Sequence, residues 1–293
     1  ALWDVVYQAS RPVRARIAAL QALEKRDDLR LEVAAQHAVR SGRTELRQAA
    51  LPILARRDPA VSLPLFALVA RNGTTAELRL VYSLLTGIPG PRAEDILAQA
   101  VRRLAAGEIP VAAQAELLDA VSGRSNPELS ALVTQYQEGL RIGGDRLAPF
   151  AFALEGGDVA EGRKLFERHP RLECLKCHET DRGTGDAGPV LAGIGLQRSR
   201  ESLLESVVFP NARLVPGFER VALTLEGRDA VQGIVLKESE SELELCRSDG
   251  STLNIPKKDV RRREPLPSSM PEGFGQIMTR KELRDLVAFL EDL

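Results

Sequence analysis

The chain has 293 residues, with 40 Lys and Arg against 41 Asp and Glu, and only three His, three Cys and two Met. A net charge of −1 with 28% charged residues excludes a disordered or polyanion-binding tail and gives no reason to expect a nucleic-acid partner. Three cysteines cannot build a disulfide framework, and at about 150 residues per domain the length predicts two domains.

The first residues, ALWDVVYQASRPVRAR, have no basic leader, apolar run or small-residue cleavage site, and they read as the inside of a helix. The sequence is therefore expected to be a mature or excised part of a longer protein. The longest apolar stretches, such as Val61–Ala70, are half of the roughly 20 residues needed to span a bilayer, so no transmembrane segment is predicted.

Residues 12–140 carry an internal repeat. Similar runs begin at Pro12, Thr44, Ala76 and Pro110, spaced 32, 32 and 34 residues apart. Each is followed by turn chemistry, such as Asp58-Pro59 and Gly87-Ile88-Pro89-Gly90-Pro91, and then by a second apolar-periodic run. Ile17, Leu20 and Leu23 fall on one face of a 3.6-residue period. Paired helices at this spacing predict a HEAT-like α-solenoid over residues 1–148, the alternative being an irregular helical bundle. Either would serve as a scaffold or as a surface for a protein partner. His37 has no Cys or second His near it and reads as a surface or core-edge histidine. The excess of charge, +3 in residues 1–150 and −4 in 151–293, is too small to name a partner.

The strongest signal is Cys174-Leu175-Lys176-Cys177-His178, a C-x-x-C-H sequence. A thioredoxin-type redox pair would need a βαβ context, which the flanks do not supply. A zinc site would need further thiolates or imidazoles at ligand spacing, and the remaining cysteine, Cys246, stands alone. The favoured reading is covalent attachment of one haem c, with Cys174 and Cys177 forming the thioethers and His178 ligating the iron.

The flanks fit this reading. Asp158 and Glu161 start a helix in the manner of a capping box, and Gly162 lies on one face with Phe166, where a glycine lets another helix approach. The segment Lys281–Leu290 is amphipathic and is expected to cross it. In Gly188-Pro189-Val190-Leu191, the carbonyl of Pro189 is placed to accept the far imidazole proton of His178 and fix its tautomer. A low-spin iron needs a sixth ligand, and thioether sulfur is the usual one in electron carriers. Met270, stiffened between Pro267 and Pro271, is favoured, whereas Met278 reads as a core or cap-packing residue. His169 is close enough in sequence to reach a haem edge, although a surface role is the simpler one.

Between Phe218 and Arg263 the pattern changes to alternating apolar residues, with Val221, Leu223 and Leu225 first, and turns at Gly227–Asp229 and Ser248–Ser251. Four or five short antiparallel strands are expected, forming a small barrel inserted at about 217–263. It would cover the cofactor edge or dock a redox partner. Cys246 reads as a half-buried strand residue. Lys257, Lys258, Arg261, Arg262 and Arg263 form either a solvated face or a landing site for an acidic partner.

Together the runs GDVAEGRKLF, CLKCH, GPVLAGIG, LLESVVFPNARLVPGFE, IPKKDV and SSMPEGFGQIMTRKELRDLVAFL resemble the PVC-type cytochrome c domain of planctomycetes and their relatives. The resemblance covers residues 151–293. It implies one haem c, His178 as proximal ligand, Met270 as distal ligand, and Pro189 as partner of His178 through similarity to class I cytochromes c. In that family the domain commonly follows helical repeats like those in 12–140; members often have catalytic or propeller-like domains upstream as well, and none of that kind is read in these residues. The expected fold is mainly α: a HEAT-like solenoid over 1–148, then a class I-like cytochrome c fold over 149–293 interrupted by the β insertion. The expected role is an electron carrier rather than an enzyme. It would be periplasmic or otherwise exported, and would take electrons from a dehydrogenase domain or partner. A haem sensor or peroxidase-like enzyme with a displaceable methionine is the alternative, although no Arg/His pair near the motif supplies distal acid–base chemistry.

Overall fold

Prolines and N-capping side chains set the helix starts in the first part of the chain. The computed structural model describes residues 1–181, 188–247 and 250–293, and divides into two units, Ala1–Phe152 and Ala153–Leu293. The first contains α1 (Leu2–Tyr7), α2 (Val13–Lys25), α3 (Leu31–Ala38), α4 (Thr44–Arg57), α5 (Pro59–Asn72), α6 (Thr75–Thr86), α7 (Pro91–Ala105), α8 (Val111–Val121) and α9 (Pro127–Ile142). The chain repeat read from the sequence corresponds to the pairs α2/α3, α4/α5, α6/α7 and α8/α9. The caps are local chemistry. Asp58 Oδ1 accepts from Val61 N–H at 3.1 Å with Pro59 at the first helical position, and Asn126 Oδ1 accepts from Leu129 N–H at 3.1 Å ahead of α9.

The first helices of successive pairs pack on one another in the order α2, α4, α6, α8, while α5, α7 and α9 pack in a second layer. Leu20, Leu23, Leu46, Leu51, Leu54, Phe66, Leu85 and Leu97 fill the space between them. Polar links tie neighbouring pairs together. Arg47 Nε donates to Glu77 Oε1 at 2.5 Å, Arg79 Nε to Glu116 Oε1 at 2.9 Å, and Asn126 Nδ2 to Glu94 Oε2 at 2.7 Å. Glu77 is wholly buried and also accepts from the N–H and hydroxyl of Thr74. Its burial pushes the carboxyl up, but the bonds from Arg47 and Thr74 outweigh this and hold it below the usual value. His37 stacks on Tyr7 with ring centroids 4.1 Å apart, and burial lowers its pKa, so it serves packing at the helix edge.

The second unit combines helices with one small sheet, while the chain as a whole is mainly helical. It contains α10 (Val159–Arg168), α11 (Ile194–Gln197), α12 (Arg200–Val208), β1 (Arg220–Leu225), β2 (Val231–Glu238), β3 (Glu242–Cys246), β4 (Thr252–Pro256), β5 (Val260–Pro265), α13 (Phe274–Ile277) and α14 (Arg280–Asp292). The buried α14 organises the helices. A Cβ on Gly162 of α10 would lie 2.0 Å from Asp285 O and 2.7 Å from Phe289 Cβ, and one on Gly195 of α11 would lie 1.9 Å from Glu291 O. Both helices therefore touch α14 backbone to backbone. Asp158 caps α10 by accepting from Ala160 and Glu161 N–H at 2.9 and 3.1 Å. The expected capping box is only half made, because the N–H of Asp158 donates to the buried Asp285 Oδ1 at 2.9 Å and Glu161 pairs with Lys164 instead. Arg200 ties the start of the unit to both ends of the helical set: its Nε donates to Ala153 O at 3.0 Å, its Nη1 to Glu291 Oε2 at 2.6 Å, and its Nη2 to Gly156 O.

The β insertion corrects the predicted barrel. Among the described residues the strands form an open antiparallel sheet in the order β4-β3-β2-β1-β5, with β4 and β5 at opposite edges. Only a three-residue 3-10 turn, Lys257–Asp259, joins those edges. The sheet must therefore curl, but β4 pairs with β3 and β5 with β1, not with each other. Its extent, 220–265, is shifted from the expected 217–263 because Val221 pairs with Pro265. Val221, Leu223, Leu225, Val235, Leu243, Leu245 and Ile255 form its core. Of the turn expected at Ser248–Ser251, Ser248 and Asp249 lie outside the described residues. Among the described residues no helix is long and apolar enough to cross a membrane.

Candidate functional site

The C-x-x-C-H segment follows α10 through a strained turn. Glu173 adopts φ +50°, the left-handed region that costs a non-glycine residue about 1 kcal/mol. The chain then forms a 3-10 turn over Cys174–Lys176, in which Cys177 and His178 N–H donate to Cys174 O at 3.1 and 2.9 Å. The segment 188–191 packs against this loop. A Cβ on Gly188 would lie 2.8 Å from Cys177 O and 3.2 Å from His178 Cε1, and Leu191 N–H donates to Glu179 O at 2.8 Å. This packing brings Pro189 O to 2.9 Å from His178 Nδ1. A carbonyl only accepts, so Nδ1 carries the proton and Nε2 keeps its lone pair. Burial lowers the His178 pKa, with the Pro189 bond partly opposing the shift, so the ring is held neutral.

His178 lines a cavity of about 510 Å³, within the size range of cofactor pockets. Its walls are mostly apolar and come from five helices, with Phe166 of α10, Ile194 of α11, Leu203 and Val207 of α12, Phe274 of α13, and Leu286 and Leu290 of α14, and from the loops between them. Cys174 and Met270 also line it. A smaller void of about 90 Å³ lies between the C-x-x-C-H loop and the Met270 loop, bordered by Cys174, Cys177, His178, Pro189 and Met270. The structure thus gathers all five residues selected from the sequence. Met278 borders neither space and is a core residue, 6% exposed. His169 also stays away from both. It ends α10, and its Nδ1 accepts from Arg171 N–H at 3.2 Å.

The donor chemistry separates the readings left open by the motif. Cys174 and Cys177 are free thiols, and burial pushes the Cys174 thiol up to about 11, opposite to the lowered pKa of a redox-active C-x-x-C nucleophile. Among the described residues no group of three or more His, Cys, Asp or Glu is gathered as a metal site. Two thiols, one imidazole with a free Nε2 and a thioether around the same small void are donors of the kind that would hold a haem c.

Residues that the sequence reading passed over also shape the site. Phe218 and Phe274 line both spaces. Asn211, in the connector between α12 and β1, accepts from Ser268 N–H at 2.7 Å and donates to Glu272 Oε1 at 2.5 Å. The only local signal for it was the Pro210-Asn211 pair, which reads as a turn.

The basic set beside the sheet is largely neutralised. Lys257 and Arg263 reach Glu238 at 2.8 and 2.9 Å, Arg261 reaches Glu226 at 2.5 Å, and Arg262 reaches Glu264 at 2.8 Å. It is an edge-protecting face more than a field aimed at an acidic partner. Cys246 is buried in β3, its Sγ donating to Arg247 O at 3.6 Å. No protein-family model matches the chain, and no curated protein matches it.

Proposed function

We propose that residues 153–293 form a cytochrome c unit that carries one haem c and transfers single electrons, and that it is of the PVC type its sequence resembles. The carrying observation is that Cys174, Cys177, His178, Pro189 and Met270, spread over 97 residues, all border the small void between the C-x-x-C-H loop and the Met270 loop, and that all but Cys177 also line the larger apolar cavity. Cys174 and Cys177 would hold the group through thioether bonds, and His178 Nε2 and the Met270 sulfur would bind its iron. When bound, haem c supplies the one-electron ferric/ferrous couple.

The protein's own part is positional. The Pro189 carbonyl keeps the His178 proton on Nδ1, orients the ring and raises its basicity. Phe166, Leu286 and Leu290 keep water out of the cavity and so favour the less charged oxidation state. In this reading the helical pairs of the first unit are a HEAT-like scaffold or partner surface. The donor is a dehydrogenase domain or protein, and the compartment is the periplasm or another exported site, where haem c is attached.

Expression with the haem c attachment machinery tests the proposal. Intact mass should rise by one haem, and Cys174→Ala with Cys177→Ala should abolish the gain. The ferric protein should show the methionine–iron charge-transfer band, lost in Met270→Ala and kept in Met278→Ala. A chain recovered without added mass, or a high-spin ferric iron that binds cyanide at once, overturns it.

A further inference from the structure

We propose that Asn211 is the positioning residue for Met270, acting as a clamp on both sides of the segment that carries it; this rests on the haem reading above. Residues 266–273, between β5 and α13, have no helix or strand pairing of their own. Pro267 and Pro271 lack N–H groups, so little backbone remains to anchor the segment. Ser268 N–H donates to Asn211 Oδ1 at 2.7 Å, and Asn211 Nδ2 donates to Glu272 Oε1 at 2.5 Å. Met270 sits midway between these two anchors.

The partners fix the orientation of the amide. A backbone N–H only donates and is met by the amide oxygen, while a carboxylate only accepts and is met by the amide nitrogen. Asn is the side chain of this length that offers both. Within the segment Met270 N–H donates to Ser268 Oγ at 3.1 Å, so the first anchor is passed directly to the methionine backbone. On the β5 side, Leu266 N–H donates to Arg220 O at 2.9 Å and Arg220 Nη1 to Pro267 O at 3.4 Å. These bonds hold the start of the arm but do not reach past Pro267. Asn211 belongs to the connector that also places Arg213, Leu214 and Val215 on the cavity wall, so the clamp locks two walls of the cavity together.

The test uses the holoprotein. Asn211→Ala should weaken or remove the charge-transfer band and raise the affinity of the ferric iron for added imidazole about tenfold, the size of one to two exposed hydrogen bonds. Hydrogen exchange at the Ser268 amide should speed up by a similar factor, while the thermal midpoint stays close to wild type. Asn211→Asp sets a carboxylate against Glu272 and should be at least as damaging. Adding Glu272→Gln to it reverses donor and acceptor on that bond and should restore the band. A band and an imidazole affinity unchanged in Asn211→Ala overturn the clamp while leaving the haem reading intact. If Asn211→Ala yields no holoprotein, the pair Asn211→Asp and Asn211→Asp with Glu272→Gln decides: recovery in the second supports the clamp, and equal spectra overturn it. A wild-type holoprotein without the band overturns both readings.

Discussion

Replacing Gly162 by Ala sets two effects of opposite sign against each other. In an unobstructed helix interior the change is favourable by about 1 kcal/mol, because glycine has more backbone freedom to lose. At Gly162 the new methyl would lie 2.0 Å from Asp285 O, 2.7 Å from Asp285 C and 2.7 Å from Phe289 Cβ. Carbon–oxygen contacts settle at about 3.3 Å or more, so α10 and α14 must separate by roughly 1 Å. Neither side yields easily, since the obstacle is backbone and Asp285 is pinned by Asp158 N–H and Lys281. Overpacking of this kind costs about 3 kcal/mol. The net expectation is a loss of about 2 kcal/mol, or roughly 7 °C in Tm for a unit of this size. Hydrogen exchange read on peptides from α10 and α14 measures it locally, without interference from the first unit. Gly139→Ala is the matched control: it lies inside α9 with no atom within 4 Å of the new methyl, and should gain about 1 kcal/mol. If Gly162→Ala stabilises as Gly139→Ala does, the backbone contact between α10 and α14 is not as described.

Glu77→Gln should cost about 2 kcal/mol at neutral pH by weakening the buried link to Arg47 and the cap on Thr74, measured by urea unfolding. Because the folded pKa of Glu77 is held below its ordinary value of 4.5, its stabilisation is full above that value and disappears as the pH falls through the folded pKa. The wild type should therefore lose stability below about pH 4.5 more steeply than the Gln variant, and parallel curves would refute the assignment. Tyr82→Phe should stabilise by about 1 kcal/mol, since the Tyr82 hydroxyl is buried without a hydrogen-bond partner among the described residues and burial pushes its pKa up to about 12. A loss of stability in a melt of that variant would mean that the hydroxyl is satisfied.

What could be read from the sequence was chemistry acting within a few residues. The prolines and capping residues at Asp58, Pro59, Asn126 and Pro127 fix helix starts by local bonds, so the helix pairs were legible from the repeat. The alternation of Val221, Leu223 and Leu225 likewise announced a strand with one buried face. Partners far along the chain were not legible. Asp158 gives its N–H to Asp285, 127 residues away, so the capping box opened. Whether the sheet closes depends on which edges pair, which alternation does not specify. The basic run at Lys257–Arg263 drew attention as a charge cluster, yet Glu226 and Glu238, which neutralise much of it, lie after β1 and at the end of β2, well back along the chain. Asn211 was invisible for the same reason, because its anchors at Ser268 and Glu272 are brought to it only by the fold.

The pairing of Arg220 O with Leu266 N–H, which closes the neck of the sheet, bears on the order in which the second unit assembles. Along the chain Met270 is 92 residues from His178, and the stretch between Arg220 and Leu266 accounts for 46 of them. Strands β1 to β4 pair in sequence order through hairpins, so the sheet can form from near neighbours before any distant contact exists. Once its neck closes, the path between the two residues is halved, which lowers the entropic cost of bringing them together by about 0.6 kcal/mol. The insertion thus works as a shortcut in the chain. Strands can be lengthened or hairpins extended beyond the neck without lengthening the route by which the methionine reaches the histidine.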